Sequence, residues 1–90
     1  NGIAEESNND EILDAILLLA KTEGIFTEPA GGVSVAVLKK MVDDGRIDRD
    51  ETTVCYVTGN GLKATESLME VLPKPQLMQP DVAKISAVVK

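Results

Sequence analysis

The sequence predicts an α/β fold, with helices packed on a short, mostly parallel sheet. Three observations predict it. Two stretches carry helical periodicity, "NNDEILDAILLLAKTEG" and "VSVAVLKKMVDDG". An uninterrupted run of β-formers, Thr53 to Thr58, follows the second. The resulting order of helix, short strand, helix, strand and helix is an α/β arrangement.

The first ten residues are polar and include an Asn-Gly pair, so they read as loop. Asn8 is placed to cap the first helix, and Glu11, three residues on, completes a capping-box spacing. Ile12, Ala15, Ile16, Leu19 and Ala20 share one helical face. Leu13, Leu17 and Leu18 widen it beyond an ordinary stripe, which predicts a helix covered on more than one side. Gly24 supplies the stop. Ile25 to Thr27 is long enough only for a strand stub, and Glu28, preceding Pro29, is biased to extended backbone. Gly31 and Gly32 open the second helix, whose inner face is Val33, Ala36, Val37 and Met41, and Gly45 ends it.

Thr53 to Thr58 shows no polar alternation, as expected of a strand buried on both faces of a parallel sheet. Ala64 to Leu72 reads as a short helix, and Gln76 to Met78 as an edge strand amid prolines. Pro80 fits the first turn of a terminal helix. The chain does not open with Met, and "NGIAEESNND" reads as the interior of a longer protein. The expectation is a single α/β fragment over residues 1–90, with 73–90 as a peripheral tail.

Composition narrows the function. Aromatics are 2% of the 90 residues, so the core must be aliphatic and single-stranded nucleic acid would find no stacking platforms. A net charge of -6 disfavours both nucleic acid and anionic membrane surfaces. No apolar run approaches the ~20 residues of a membrane span. One cysteine cannot form an internal disulfide, which points to a reducing compartment, the cytoplasm. With no histidine, the usual general base and the commonest metal ligand are missing.

The candidate chemistry sits at two glycine-rich junctions. Thr58-Gly59-Asn60-Gly61 ends the strand, and ligands in open α/β sheets sit beyond the carboxyl ends of strands. The same four residues also carry a turn signal in Asn-Gly. They lack the third glycine of a dinucleotide fingerprint and the Gly-Lys-Ser/Thr of a P-loop. Glu28-Pro29-Ala30-Gly31-Gly32 opens a helix, where free N–H groups favour anions. Its glycines serve either ligand approach or tight helix packing, and Glu28 either orients a ligand or complements the helix dipole. Asp43 and Asp44 lack a third ligand and read as solvated surface, so no metal site is expected. Cys55 reads as a small buried hydrophobe, and Lys39, Lys40 and Lys63 as solvated.

"EGIFTEPAGGVSVAVLKKMVDDGRID" and "YVTGNGLK" together resemble the C-terminal part of threonine synthases, within the fold-type II (tryptophan-synthase β-like) pyridoxal-phosphate family. The resemblance is strong from Ile12 to Lys63 and loose after Leu72. It implies that Thr58 hydrogen-bonds the ring nitrogen of pyridoxal 5'-phosphate and that Gly59, with Gly61, lets the backbone pass close to the ring. Glu28 and Asn60 would line the site, without acid–base duty. It implies conversion of O-phospho-L-homoserine, a small amino-acid substrate, and water to L-threonine and phosphate by the complete enzyme. The lysine that holds the cofactor as a Schiff base and the loop that grips its phosphate precede the matching stretch in such proteins. Neither is present here, so no catalytic residue falls in this stretch, and alone it is expected to be inactive and to bind the cofactor weakly. Other readings are a small anion-binding or regulatory α/β module, a related enzyme such as threonine dehydratase, and a fragment that self-associates as a homodimer through its apolar first helix.

Overall fold

The computed structural model describes residues 1–89. Helix α1 runs Asn9–Glu23, α2 Pro29–Asp43 and α3 Val82–Val88. The start of α1 is set locally. Asn8 Oδ1 accepts from the Glu11 N–H at 2.9 Å, and Glu11 Oε2 accepts from the Asn8 N–H at 2.9 Å. This reciprocal cap is worth about 1 kcal/mol over an uncapped end. Gly24 ends the helix in the left-handed region at φ 67°, its N–H reaching the Ala20 carbonyl.

Helix α2 begins two residues earlier than the glycines suggested. Pro29 occupies its first turn, where a missing N–H costs nothing, and extended Glu28 is its cap. Asp44 is the C-cap, and Gly45 follows at φ 73°.

Helices α1 and α2 pack on each other and make the body of the fold. They meet tightly at Gly32, where an added Cβ would stand 2.7 Å from Ile16 Cγ1 and 3.0 Å from Ile12 Cγ2. The buried apolar residues are Ala15, Ile16 and Ala36 at this seam, joined by Leu68. Polar ties flank it: Lys40 Nζ lies 3.0 Å from Glu11 Oε2 and donates to the Glu6 carbonyl at 2.7 Å. Arg46 bridges Glu5 at 2.7 Å and Asp44 at 2.9 Å, pinning the N-terminal segment to the end of α2. The broad apolar face of α1 is covered only in part, since Leu18 is 39% exposed and Ala20 is exposed. On α2, Val33 is likewise exposed.

The expected sheet is the main difference. Among the described residues there is no strand, only an isolated antiparallel bridge between Thr27 and Asn60. Thr53 to Thr58 lacks a ladder partner, and its burial alternates. Cys55 and Val57 are half-buried, while Val54 and Tyr56 are more than three-quarters exposed, at 76% and 78%. Val57 lies against Gly31 of α2, while Val54 and Tyr56 meet solvent, because nothing in this stretch of chain supplies a neighbouring strand.

Further along, Ala64–Leu72 is not one helix but short 3₁₀ turns at Gly61–Lys63 and Thr65–Leu68. Gln76–Met78 pairs with nothing among the described residues, and Leu77 is fully exposed. The terminal helix starts at Val82, capped by Asp81, with Pro80 just outside it. Residues 71–89 are exposed throughout, and Lys90 lies outside the described residues.

The molecule is therefore extended, 59 × 26 × 20 Å, with a radius of gyration of 17.2 Å. A compact 90-residue domain would have a radius near ~12 Å. Its accessible surface is 7349 Å², against roughly 5,100 Å² for a compact monomer of this mass.

Candidate functional site

The two glycine-rich junctions meet. After Gly24 the chain runs extended through Phe26, Thr27 and Glu28, and the bridge sets this stub antiparallel to Gly59–Gly61. The Gly61 N–H donates to the Phe26 carbonyl at 2.9 Å, and the Glu28 N–H donates to the Gly59 carbonyl at 3.1 Å. Between these rungs sits Thr27, 1% exposed and the only buried polar residue among those described. Its hydroxyl donates to the Gly59 carbonyl at 3.1 Å, with the Glu28 carbonyl also within reach at 3.2 Å.

The missing side chains are used by neighbours. A Cβ added at Gly59 would fall on the Glu28 carboxylate, and one at Gly61 on the Phe26 ring. A Cβ at Gly31 would fall on the Thr27 hydroxyl. Gly31 and Gly32 are buried, and the space they leave is taken by Thr27 and by α1. Tight packing thus accounts for both.

Of the residues singled out from the sequence, Gly59, Glu28 and Asn60 share this clasp. Glu28 lies over Gly59, and its carboxylate meets Lys63 Nζ at 3.7 Å. Lys63 is solvated, as expected, and its ammonium lies within a long ion-pair distance of this edge. Asn60 caps the following turn, its Oδ1 accepting from the Leu62 N–H at 2.9 Å. Thr58 stands immediately before the clasp and is exposed, neither part of a hairpin nor sunk among aliphatic neighbours. Thr27 was not anticipated. Its only sequence signal was a hydroxyl residue in an otherwise apolar stub, four positions before Gly31.

These residues form a rim rather than a pocket. A groove of about 430 Å³ lies between α1 and α2, lined by Glu11, Asp14, Ala15, Leu18 and Ala36 among others, and none of the clasp residues borders it. The rim has an open hydroxyl at Thr58, able to donate or accept, and a carboxylate at Glu28 partnered by Lys63. The hydroxyl can donate to or accept from a ligand at this edge. Among the described residues the rim holds no cluster of cations that would take a phosphate dianion.

The sequence profile described as "Pyridoxal-phosphate dependent enzyme" matches residues 1–59. The chain is 42% identical over 89 residues to the threonine synthase of Methanocaldococcus jannaschii, covering 99% of this chain and 22% of that protein. It is 44% identical over 84 residues to the threonine synthase of Methanosarcina acetivorans, covering 93% and 21%. Against that of Halalkalibacterium halodurans it is 44% identical over 72 residues, covering 80% and 20%. The chain spans about a fifth of the length of these curated relatives. With the profile matched over most of its length, the chain belongs to the pyridoxal-phosphate-dependent enzymes.

Proposed function

We propose that this chain is the C-terminal part of a threonine synthase, and that the full-length protein converts O-phospho-L-homoserine and water to L-threonine and phosphate. The observation that carries the proposal is identity of 42–44% to proteins named threonine synthase over 80–99% of the chain. The exposed Thr58 hydroxyl, delivered to the rim by the clasp, supports it.

In this reading, pyridoxal phosphate supplies the electron sink that stabilises negative charge developing on the substrate carbons. Thr58 orients it by a hydrogen bond at the ring nitrogen. A neutral hydroxyl does not hold a proton there as a carboxylate would, so the sink stays moderate. Gly59 brings the backbone close to the ring. Glu28 supports that edge through Gly59 and Lys63, and Asn60 fixes the loop that follows. Thr53–Thr58 takes its place in a mostly parallel sheet once the rest of the protein provides neighbours, and residues 73–90 lie at the periphery.

The 90-residue chain by itself is inactive and binds the cofactor weakly, because the Schiff-base lysine and the phosphate loop lie outside it. In isolation it self-associates, and sedimentation showing a strict monomer at high concentration would refute that. The lone cysteine fits a cytoplasmic protein. No helix among the described residues is long and apolar enough to cross a membrane.

The test uses the full-length protein. O-phospho-L-homoserine is supplied, and phosphate and threonine are measured together. Thr58→Ala is expected to lower turnover at least roughly tenfold, as removal of one positioned hydrogen bond does. Absence of phosphate release from the wild-type protein would overturn the assignment. Deamination of threonine without phosphate chemistry would point instead to a dehydratase.

A further inference from the structure

We infer that Thr27 is a positioning residue for the cofactor edge, acting through the carbonyl of Gly59 to set where Thr58 stands; this rests on the reading of Thr58 given above. Thr27 is 1% exposed, at the centre of the clasp. Its hydroxyl has one proton and two carbonyls within reach, Gly59 at 3.1 Å and Glu28 at 3.2 Å. Both carbonyls already accept a backbone N–H: Gly59 from Glu28 at 3.1 Å, and Glu28 from Gly32 at 3.0 Å. The hydroxyl is therefore not needed to satisfy an orphan acceptor. What it adds is a second tie across 32 residues of sequence, joining the residue before the α2 cap to the residue after Thr58.

The surroundings are shaped around this oxygen. The absent side chain of Gly31 leaves the space the hydroxyl occupies, and Val57 Cγ1 lies 3.3 Å from that same point. A hydroxyl walled by a glycine of α2 and by the residue before Thr58 has little freedom to turn elsewhere. It fixes the Gly59 carbonyl, and so the Gly59–Asn60 peptide one residue beyond Thr58.

The experiment compares wild type, Thr27→Val and Thr27→Ser in the full-length protein. Valine keeps the shape and removes the donor, whereas serine keeps the donor and removes the methyl. Two readouts are taken. The first is amide hydrogen exchange at Glu28 and Gly61, measured without cofactor. The second is the affinity for pyridoxal 5'-phosphate and the absorbance maximum of the bound cofactor. Thr27→Val is expected to raise exchange at both amides roughly tenfold, the worth of one buried hydrogen bond. It is also expected to weaken cofactor binding and shift the absorbance, with Thr27→Ser close to wild type in each. A valine variant that fails to fold beside a folded serine variant would make the hydroxyl a structural requirement rather than a positioning one, and would overturn the inference. Unchanged exchange in Thr27→Val, or equal damage from both substitutions, would overturn the inference. So would faster exchange with cofactor affinity and absorbance unaltered. If the wild-type protein takes up no pyridoxal phosphate, the cofactor reading falls, and with it the role toward Thr58; the exchange data then decide the clasp alone.

Discussion

Replacing Gly31 by alanine should destabilise the protein, although general propensity says the reverse. Gly31 lies in the first turn of α2 at a φ that any residue can adopt. On helix propensity and unfolded-state entropy alone, alanine would gain about 0.4–1 kcal/mol. Against this, the new Cβ would fall on Thr27 Oγ1, 3.0 Å from Thr27 Cβ and 3.3 Å from Val57 Cγ1. Thr27 is β-branched and buried, so it cannot swing out to solvent. Overpacking of this kind costs about 1–3 kcal/mol. Losing or misdirecting a buried hydrogen bond adds about 1–3 kcal/mol. The net is a loss of about 1–5 kcal/mol.

Gly59→Ala is the built-in control. Its Cβ also meets a side chain, but that chain is the flexible Glu28, which can rotate away at the cost of a partly exposed contact with Lys63. Such a pair is worth about 0–1 kcal/mol, so Gly59→Ala should be near neutral in stability. Urea unfolding of both variants beside wild type reads the difference as a shift in midpoint at constant slope. A Gly31→Ala protein as stable as wild type, or more so, would refute the packing argument. So would Gly59→Ala proving the worse of the two.

Two further outcomes are expected. Ile16, 2% exposed at the α1–α2 seam, is the largest apolar side chain that is fully buried. Ile16→Ala should cost about 2–5 kcal/mol in the same unfolding experiment; a loss below about 1 kcal/mol would show that the seam is not the core. Acid should loosen the N-terminal segment. The Asn8 N–H, then Lys40, holds the Glu11 carboxyl below its ordinary value of 4.5, and the Glu6 N–H, then Arg46, does the same for Glu5. Depressed folded-state values mean that this stabilisation is complete above pH 4.5 and is lost as pH falls through the lowered values. Glu11→Gln should flatten the pH dependence of stability in that window, and an unaltered profile would count against the cap and the Lys40 pair as its source.

The parts of the fold that were legible in the sequence are those fixed by neighbours in the chain. Asn8 and Glu11 mark the start of α1 because both halves of the cap lie within one turn, and Gly24 marks its end for the same reason. The start of α2 was misplaced by two residues because Gly31 and Gly32 resemble a junction, whereas their role is to admit Thr27 and α1. Thr53–Thr58 is rich in β-formers on both faces, so its pattern could not reveal which face the helices cover or that no ladder forms beside it. Of the residues that the sequence singles out, Glu28, Gly59 and Asn60 lie together, with Thr58 next in the chain. The antiparallel bridge that unites them, and the Thr27 hydroxyl at its centre, depend on a contact across some thirty residues that no local pattern encodes.

The unladdered run from Thr53 to Thr58 has a colloidal consequence. It holds no charge, proline or glycine, and its backbone amides and carbonyls are left for another chain to engage. Such hexamers are the seeds of intermolecular cross-β stacking. The charges directly upstream, Asp48, Arg49, Asp50 and Glu51, stand as gatekeepers that make edge-to-edge stacking electrostatically awkward. Neutralising them should therefore favour fibrils over discrete species without altering a single buried contact.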